Sequence, residues 1–165
     1  MQQPKTNAAR ILDGLSVPYS LRTYDVDESD LSAVTVARKI GLPVEQVFKT
    51  LFLSAAGGGY LFGILPGDQE LDLKAVAKLA GVRKVEPVPL AKLQGLTGYV
   101  RGAVTVLGAK SSHPVFVDES VHACEVISVS AGKRGVQILL KPSAYLSATR
   151  AVVARIIKQG SSSEK

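Results

Sequence analysis

Tryptophan is absent from the 165 residues, and Phe and Tyr together supply only 5% of them. That scarcity argues against a single-strand binder built on an aromatic base-stacking platform. There is one cysteine, Cys124, so an internal disulfide is excluded and a reducing cytoplasm is the expected location. No apolar run approaches the roughly 20 residues that cross a bilayer. The start, Met1-Gln2-Gln3-Pro4-Lys5, lacks the charged-then-apolar layout of a secretory signal, so no membrane partner is expected. Histidines number two, His113 and His122. His122-Ala123-Cys124 offers two zinc ligands, but no second pair follows at metal-site spacing, and no metal or other cofactor is expected.

The usual catalytic kits are missing too. Neither a G-x-x-x-x-G-K-[ST] phosphate loop nor a G-x-G-x-x-G turn occurs. Cys124 has no local base or cationic pocket to make it a nucleophile. Asp118 and Glu119 are adjacent, and neighbours on a strand point to opposite faces, so they form no acid–base pair. An enzyme built from this inventory has to act on an intrinsically labile bond.

What the chain does contain is a core. Hydrophobic residues make up 46%, enough for one well-buried domain and, at this length, short for two. The formal net charge of +6 permits an RNA partner without requiring one; no DNA partner is expected. Thr6 or Asn7 caps a helix with the stripe Ala8, Ile11, Leu12 and Leu15. Tyr19–Tyr24 alternates as a strand, and a helix starting near Ser29, Asp30 or Ser32 buries Val36, Ala37 and Ile40 before Gly41. A short helical turn runs from Leu42-Pro43 through Val47. Leu51–Ser54 and Tyr60–Leu65 flank Gly57-Gly58-Gly59, a hairpin signal. Asp72 caps a helix packing on Val76, Ala77, Leu79 and Ala80, closed by Gly81.

Beyond it, a broken extended stretch (Val82–Val88) and a short helix around Leu90–Leu93 lead to a glycine-rich segment, Gly95–Gly108, expected as a functional loop feeding a strand. Val115–Val117, Glu125–Val129 and Val136–Leu140 read as strands, and Pro142 as the first residue of a helix. Ala151–Ile157 fits helix or strand equally. The sum is one α/β (α+β) domain over residues 1–159, with residues 160–165 a polar, disordered tail.

Four segments carry the chemistry. Ser130-Ala131-Gly132-Lys133-Arg134-Gly135 is the tip of a hairpin, with two glycines that allow close approach and two cations suited to a phosphate. Val47-Phe48-Lys49-Thr50-Leu51 puts a lysine where helix gives way to strand. Thr97-Gly98-Tyr99-Val100-Arg101-Gly102 is a glycine loop, and Leu71–Ala77 lies between the two. In this order, from about Pro18 to Leu146, they resemble the YbaK/EbsC family of prolyl-tRNA synthetase-associated and trans-editing domains.

The resemblance implies a curved, mostly antiparallel, barrel-like mixed sheet surrounded by helices. It implies hydrolysis of a mischarged aminoacyl-tRNA, in the closest subgroup cysteinyl-tRNA with the proline anticodon. The implied partner is the aminoacylated tRNA 3′ end, with the tRNA body recognised either through nonspecific phosphate contacts or in a ternary complex with prolyl-tRNA synthetase. Lys49 matches the family's key lysine, holding ribose, phosphate or ester oxygens as charge develops. The implied substrate contacts are Tyr24, Thr50, Gly98, Tyr99, Gly102, Thr105, Ser130, Gly132, Lys133 and Arg134. Members specific for the cysteinyl ester look as if they let the substrate's thiol attack it, which leaves Cys124 without a role.

The pattern departs in one loop: the family's Gly-Gly-x-Ser-Pro-x-Gly is here Gly102-Ala103-Val104-Thr105-Val106-Leu107-Gly108. Three readings follow: a cysteinyl-tRNA(Pro) deacylase, the same hydrolysis on another amino acid such as alanine, and an inactive tRNA- or synthetase-binding module.

Overall fold

The computed structural model describes residues 5–159; the expected tail, 160–165, lies outside them. The fold is mixed α/β, five helices around two sheets. Helix α1 (Asn7–Gly14) starts at Thr6, whose Oγ1 accepts the Ala9 N–H. It buries Ala8, Ala9 and Leu12, while Ile11 and Leu15 of the expected stripe are exposed. Strand β1 (Ser20–Thr23) leads to α2 (Ala33–Ile40), capped by Ser32 and ended by Gly41 at φ 78°. A 3-10 turn (Val44–Gln46) then delivers the chain to β2 (Phe48–Ala55), which pairs with β3 (Tyr60–Pro66) across the three glycines.

Helix α3 (Leu73–Ala80) has the Asp72 cap and the Gly81 stop; Val76 and Ala77 are buried but Leu79 faces solvent. After β4 (Val85–Pro87), α4 (Leu90–Thr97) runs four residues past the expected end, absorbing Gly95 and stopping at Gly98. The long loop 98–114 feeds β5 (Val115–Asp118). Strands β6 (Ile127–Ser130) and β7 (Val136–Leu140) form the second hairpin, and α5 (Pro142–Thr149) opens on its proline. The ambiguous last segment is strand β8 (Val152–Ala154), followed by the bridge Ile157↔Leu71.

One sheet, β1-β7-β6, is wholly antiparallel. The other, β4-β2-β3-β5-β8, is antiparallel through β3 and parallel beyond it. A parallel bridge, Val47↔Ser128, ties the two where β2 begins. From that tie the sheets diverge rather than close, so the barrel-like outline is an open one. The main core fills the space between them, around Phe48, Phe62, Ile127, Ile138 and Tyr145. Asp118 is buried: Oδ1 accepts the Ile156 N–H and Oδ2 the Ser120 N–H, each at 3.0 Å. It is a structural fastener, fully occupied.

Candidate functional site

Strand β4 covers β2 only at Leu53–Ala55, so the first half of β2 is a free edge beside the other sheet. A cleft of about 520 Å³ opens there, between β2, the segment before α2, the loop after Gly102, and the ends of β6 and β7. Antiparallel pairing makes the outcome for the backbone definite. Odd-numbered residues of β2 bond to β3, as Val47 O does with the Gly67 N–H and the Ala55 N–H with Gly59 O. Even-numbered residues therefore turn their peptide groups the other way. The carbonyl of Phe52 takes the Val88 N–H, and the peptide groups of Thr50, with no such cover, face the cleft.

Lys49 lies on this edge strand, half-buried, its Nζ donating to Gly67 O at 3.2 Å. Burial holds its pKa below the ordinary 10.5, with Asp68 and Glu70 pulling weakly the other way. Among the described residues no carboxylate forms an ion pair with it. A cation held in place yet unpaired is free to meet an oxyanion.

Ser130 lies opposite. Its Oγ donates to Ala103 O at 2.8 Å and accepts the Gly132 N–H at 3.0 Å, fastening the glycine loop to the hairpin tip. Ser130→Ala leaves that buried carbonyl and amide short of a partner. We expect a loss of about 1–3 kcal/mol, read as a fall in urea midpoint with unchanged slope.

Of the residues expected to touch substrate, Lys49, Thr50, Gly102 and Ser130 line the cleft. The others surround it in supporting positions. Tyr99 donates its hydroxyl to Leu107 O at 2.6 Å and lays its ring against Gly132, where a Cβ would come 2.7 Å from Cε1. Arg134 donates Nε–H to Arg101 O at 2.8 Å and faces Glu28 at 3.9 Å. Lys133 is exposed at the tip. Tyr24 gives its N–H to Gly135 O and packs beside Val36 and Val47. Gly98 ends α4, against the Lys110 side chain. Thr105 is fully buried with its hydroxyl unpaired.

The cleft also contains residues the sequence did not single out. Gln137 is buried in β7, with Oε1 accepting from Ser128 Oγ at 2.7 Å. One polar side chain inside the apolar run Val136–Leu140 was the available signal. Arg101 and the segment Ser29–Ser32 form the lip. There Asp30 accepts from Thr35 Oγ1, Ser32 Oγ and the Ser32 N–H, which hold its carboxyl at about 2, an anchor for α2. Leu31 lies beside Gly102, where a Cβ would sit 3.4 Å away. Cys124 is outside the cleft, its thiol pushed up by burial and by Glu45. Among the described residues no group of three His, Cys, Asp or Glu could hold a metal, and no helix is long and apolar enough to cross a membrane.

The cleft of this open-edged α/β domain thus offers a lysine, exposed peptide groups and hydroxyls and, among the described residues lining it, no nucleophile–base pair. The particular family follows from comparison. The chain belongs to the aminoacyl-tRNA editing domain family, whose model matches residues 28–148. It is 42% identical over 154 residues (93% of this chain, 94% of the relative) to the Enterococcus faecalis (strain ATCC 700802 / V583) protein named "Putative Cys-tRNA(Pro)/Cys-tRNA(Cys) deacylase EbsC". Its fold matches the crystal structure of hypothetical protein APE2540 with TM-score 0.84 at 21% identity, over 92% of this chain and 99% of that one. It also matches the crystal structure described as "a putative trans-editing enzyme for prolyl tRNA synthetase", with TM-score 0.77 at 21% identity, over 96% and 99%.

Proposed function

We propose that this protein is a cytoplasmic deacylase that hydrolyses the ester of cysteinyl-tRNA carrying the proline anticodon. The observation that carries the reading is the setting of Lys49: fixed by a carbonyl, half-buried, and without a counter-ion on the free edge of β2. An aminoacyl ester is already activated, so orientation and charge stabilisation supply most of what its cleavage needs. The terminal ribose and ester oxygens lie against Lys49 and the Thr50 peptide, while Gly102 leaves room for backbone approach. Ser130 and Gln137 face the aminoacyl group from the far wall. The attacking group is the substrate's own thiol: its sulfur bonds to the ester carbonyl carbon, and the bond to the ribose oxygen breaks as that oxygen takes up the thiol proton. Water then opens the resulting thiolactone to free cysteine, so the protein supplies no nucleophile. Prolyl-tRNA synthetase is the partner that would deliver the mischarged tRNA.

The altered loop supports the cysteinyl reading. The departing positions are Ala103, Thr105 and Val106, and none of them lines the cleft; Gly102 and Val104, between and before them, do. Deacylation of cysteinyl-, alanyl- and prolyl-tRNA(Pro) by the wild type tests this. Rapid loss of the cysteinyl ester alone is expected. Preferential loss of the alanyl ester keeps ester hydrolysis but overturns both the specificity and the thiol as attacking group, and no loss above the spontaneous rate overturns the enzyme.

A further inference from the structure

Behind the cleft lies a second hollow of about 300 Å³, with an apolar wall that includes Ile11, Phe62 and Val115 and a basic, hydroxylic side formed by Lys110, Ser111, Ser112, His113 and Arg150; no carboxylate lines it. Lys110 spends one Nζ–H on Gly95 O at 3.0 Å and keeps the other two. Arg150 ends α5 in the left-handed conformation, φ 54°, and its exposed guanidinium has no side-chain partner among the described residues. Ser111 and Ser112 are exposed beside them. His113 is held by three rings, Phe52, Tyr60 and Phe62, at 5.4, 5.8 and 5.9 Å between centroids. Its burial keeps the imidazole below its usual pKa, so it contributes hydrogen bonding rather than charge at neutral pH.

The hollow and the cleft are back to back. Phe52 lines the cleft and packs at 5.0 Å on Phe62 and 5.4 Å on His113, which line the hollow. The loop after Gly102 serves both, presenting Val104 to one side and Val106 to the other. A phosphodiester chain whose end enters the cleft would reach the hollow only by passing over that shared loop. Two unpaired cations flanked by hydroxyls, with no acid nearby, match a phosphate rather than a carboxylate-bearing or cationic ligand.

We propose that this hollow binds a phosphodiester of the same tRNA whose 3′ end enters the cleft, with Lys110 and Arg150 as charge partners and Ser111 and Ser112 as hydroxyl donors. The proposal rests on the cleft being the site of the tRNA end. It gives the domain a grip on the tRNA body that is independent of the ester and of the amino acid.

The test is binding of uncharged proline tRNA, by fluorescence anisotropy across a salt series. It compares wild type, Lys110→Gln/Arg150→Gln, and Lys78→Gln/Arg83→Gln, which removes the same charge from exposed positions at and just after the end of α3. The expected result is a roughly tenfold weaker Kd for the first double variant and a salt slope shallower by about 1–2, with the second much closer to wild type. Melting curves establish that both variants fold. Wild-type affinity and slope in Lys110→Gln/Arg150→Gln would overturn the proposal, and so would equal losses in both double variants. A titration with inorganic phosphate, followed by amide shifts at Ser111–His113, separates the sources. Shifts with unmoved tRNA affinity would assign the hollow to a free anion and overturn the tRNA assignment. Wild type that binds tRNA through the hollow but cleaves no ester would sink the cleft reading alone.

Discussion

On the proposed reading, Lys49→Met is expected to lower single-turnover hydrolysis of cysteinyl-tRNA(Pro) by at least about 100-fold, the scale of removing one preorganised oxyanion donor. The loss falls on the rate at saturation more than on KM, because the ammonium is most needed when charge develops on the ester oxygen. Lys49 makes one hydrogen bond, to Gly67 O, and methionine replaces its apolar stem out to Cε, so the variant is expected to fold, which a melting curve checks. A variant that retains hydrolysis within a few-fold of wild type removes Lys49 from the chemistry.

The same lysine sets a pH dependence whose sign is fixed. Burial lowers its folded-state pKa from 10.5, so the working ammonium is lost below that value. Rates corrected for spontaneous hydrolysis decline on the alkaline side at a pH under 10.5. Stability moves oppositely. At lower pH both folded and unfolded states carry the proton, and the folded state carries it at a disadvantage. Between the folded value and 10.5 the unfolded state binds more protons, so stability contributed by this group rises with pH there. Lys49→Met abolishes that rise, which denaturant midpoints measured across the window will report.

Gly132→Ala is expected to be the most damaging small substitution at the hairpin tip. Its φ of +91° is a conformation that side chains rarely adopt, and the added Cβ meets Tyr99 Cε1 at 2.7 Å, well inside contact. Tyr99 cannot simply yield, because its hydroxyl is held by Leu107 O at 2.6 Å. Strain of about 1–3 kcal/mol and overpacking of about 1–3 kcal/mol combine to about 2–6 kcal/mol. At about 2–4 °C per kcal/mol, Tm falls by roughly 5–20 °C. Gly58→Ala supplies the contrast: φ is +112° but nothing lies within 4 Å of the new Cβ, so only the strain remains. In a Tyr99→Ala background Gly132→Ala costs less, and this non-additivity isolates the contact. Equal Tm losses for the two glycines would show that Tyr99 imposes no constraint.

Local grammar made most of the elements legible. Thr6, Ser32 and Asp72 cap helices and Gly41 and Gly81 end them, because caps depend on a few adjacent atoms. Burial within those helices was less readable: Ile11, Leu15 and Leu79 fit their stripes but lie outside the three-dimensional contact each stripe makes. Gly95 read as a loop residue, yet tertiary packing carries α4 through it to Gly98. Segment Ala151–Ile157 could not be assigned because its strand exists only through parallel pairing with β5.

The site divides the same way. Lys49, Thr50, Gly102 and Ser130 were found through motifs and line the cleft. Tyr99, Gly132 and Arg134 belong to the same motifs, but they brace the loop against the hairpin. Gln137 escaped because a single polar residue in a strand gives no hint of which face is open until the partner strand is known. Motif membership marks a neighbourhood, and only the register separates the residues that line the cleft from those that hold them there.

The pairing of β1 with β7 joins Ser20 to Leu139, so an early strand waits for one near the far end of the chain. Contacts so distant in sequence form late and slowly. During synthesis the hairpin of β2 and β3 can assemble soon after it emerges, carrying Lys49 with it. The lip can be anchored early, by Asp30 and by the packing of α2 on Val47, but the far wall cannot. A chain that ends before β6 therefore carries Lys49 with neither Ser130 nor Gln137 opposite it, and the cleft is complete only when β7 has paired with β1.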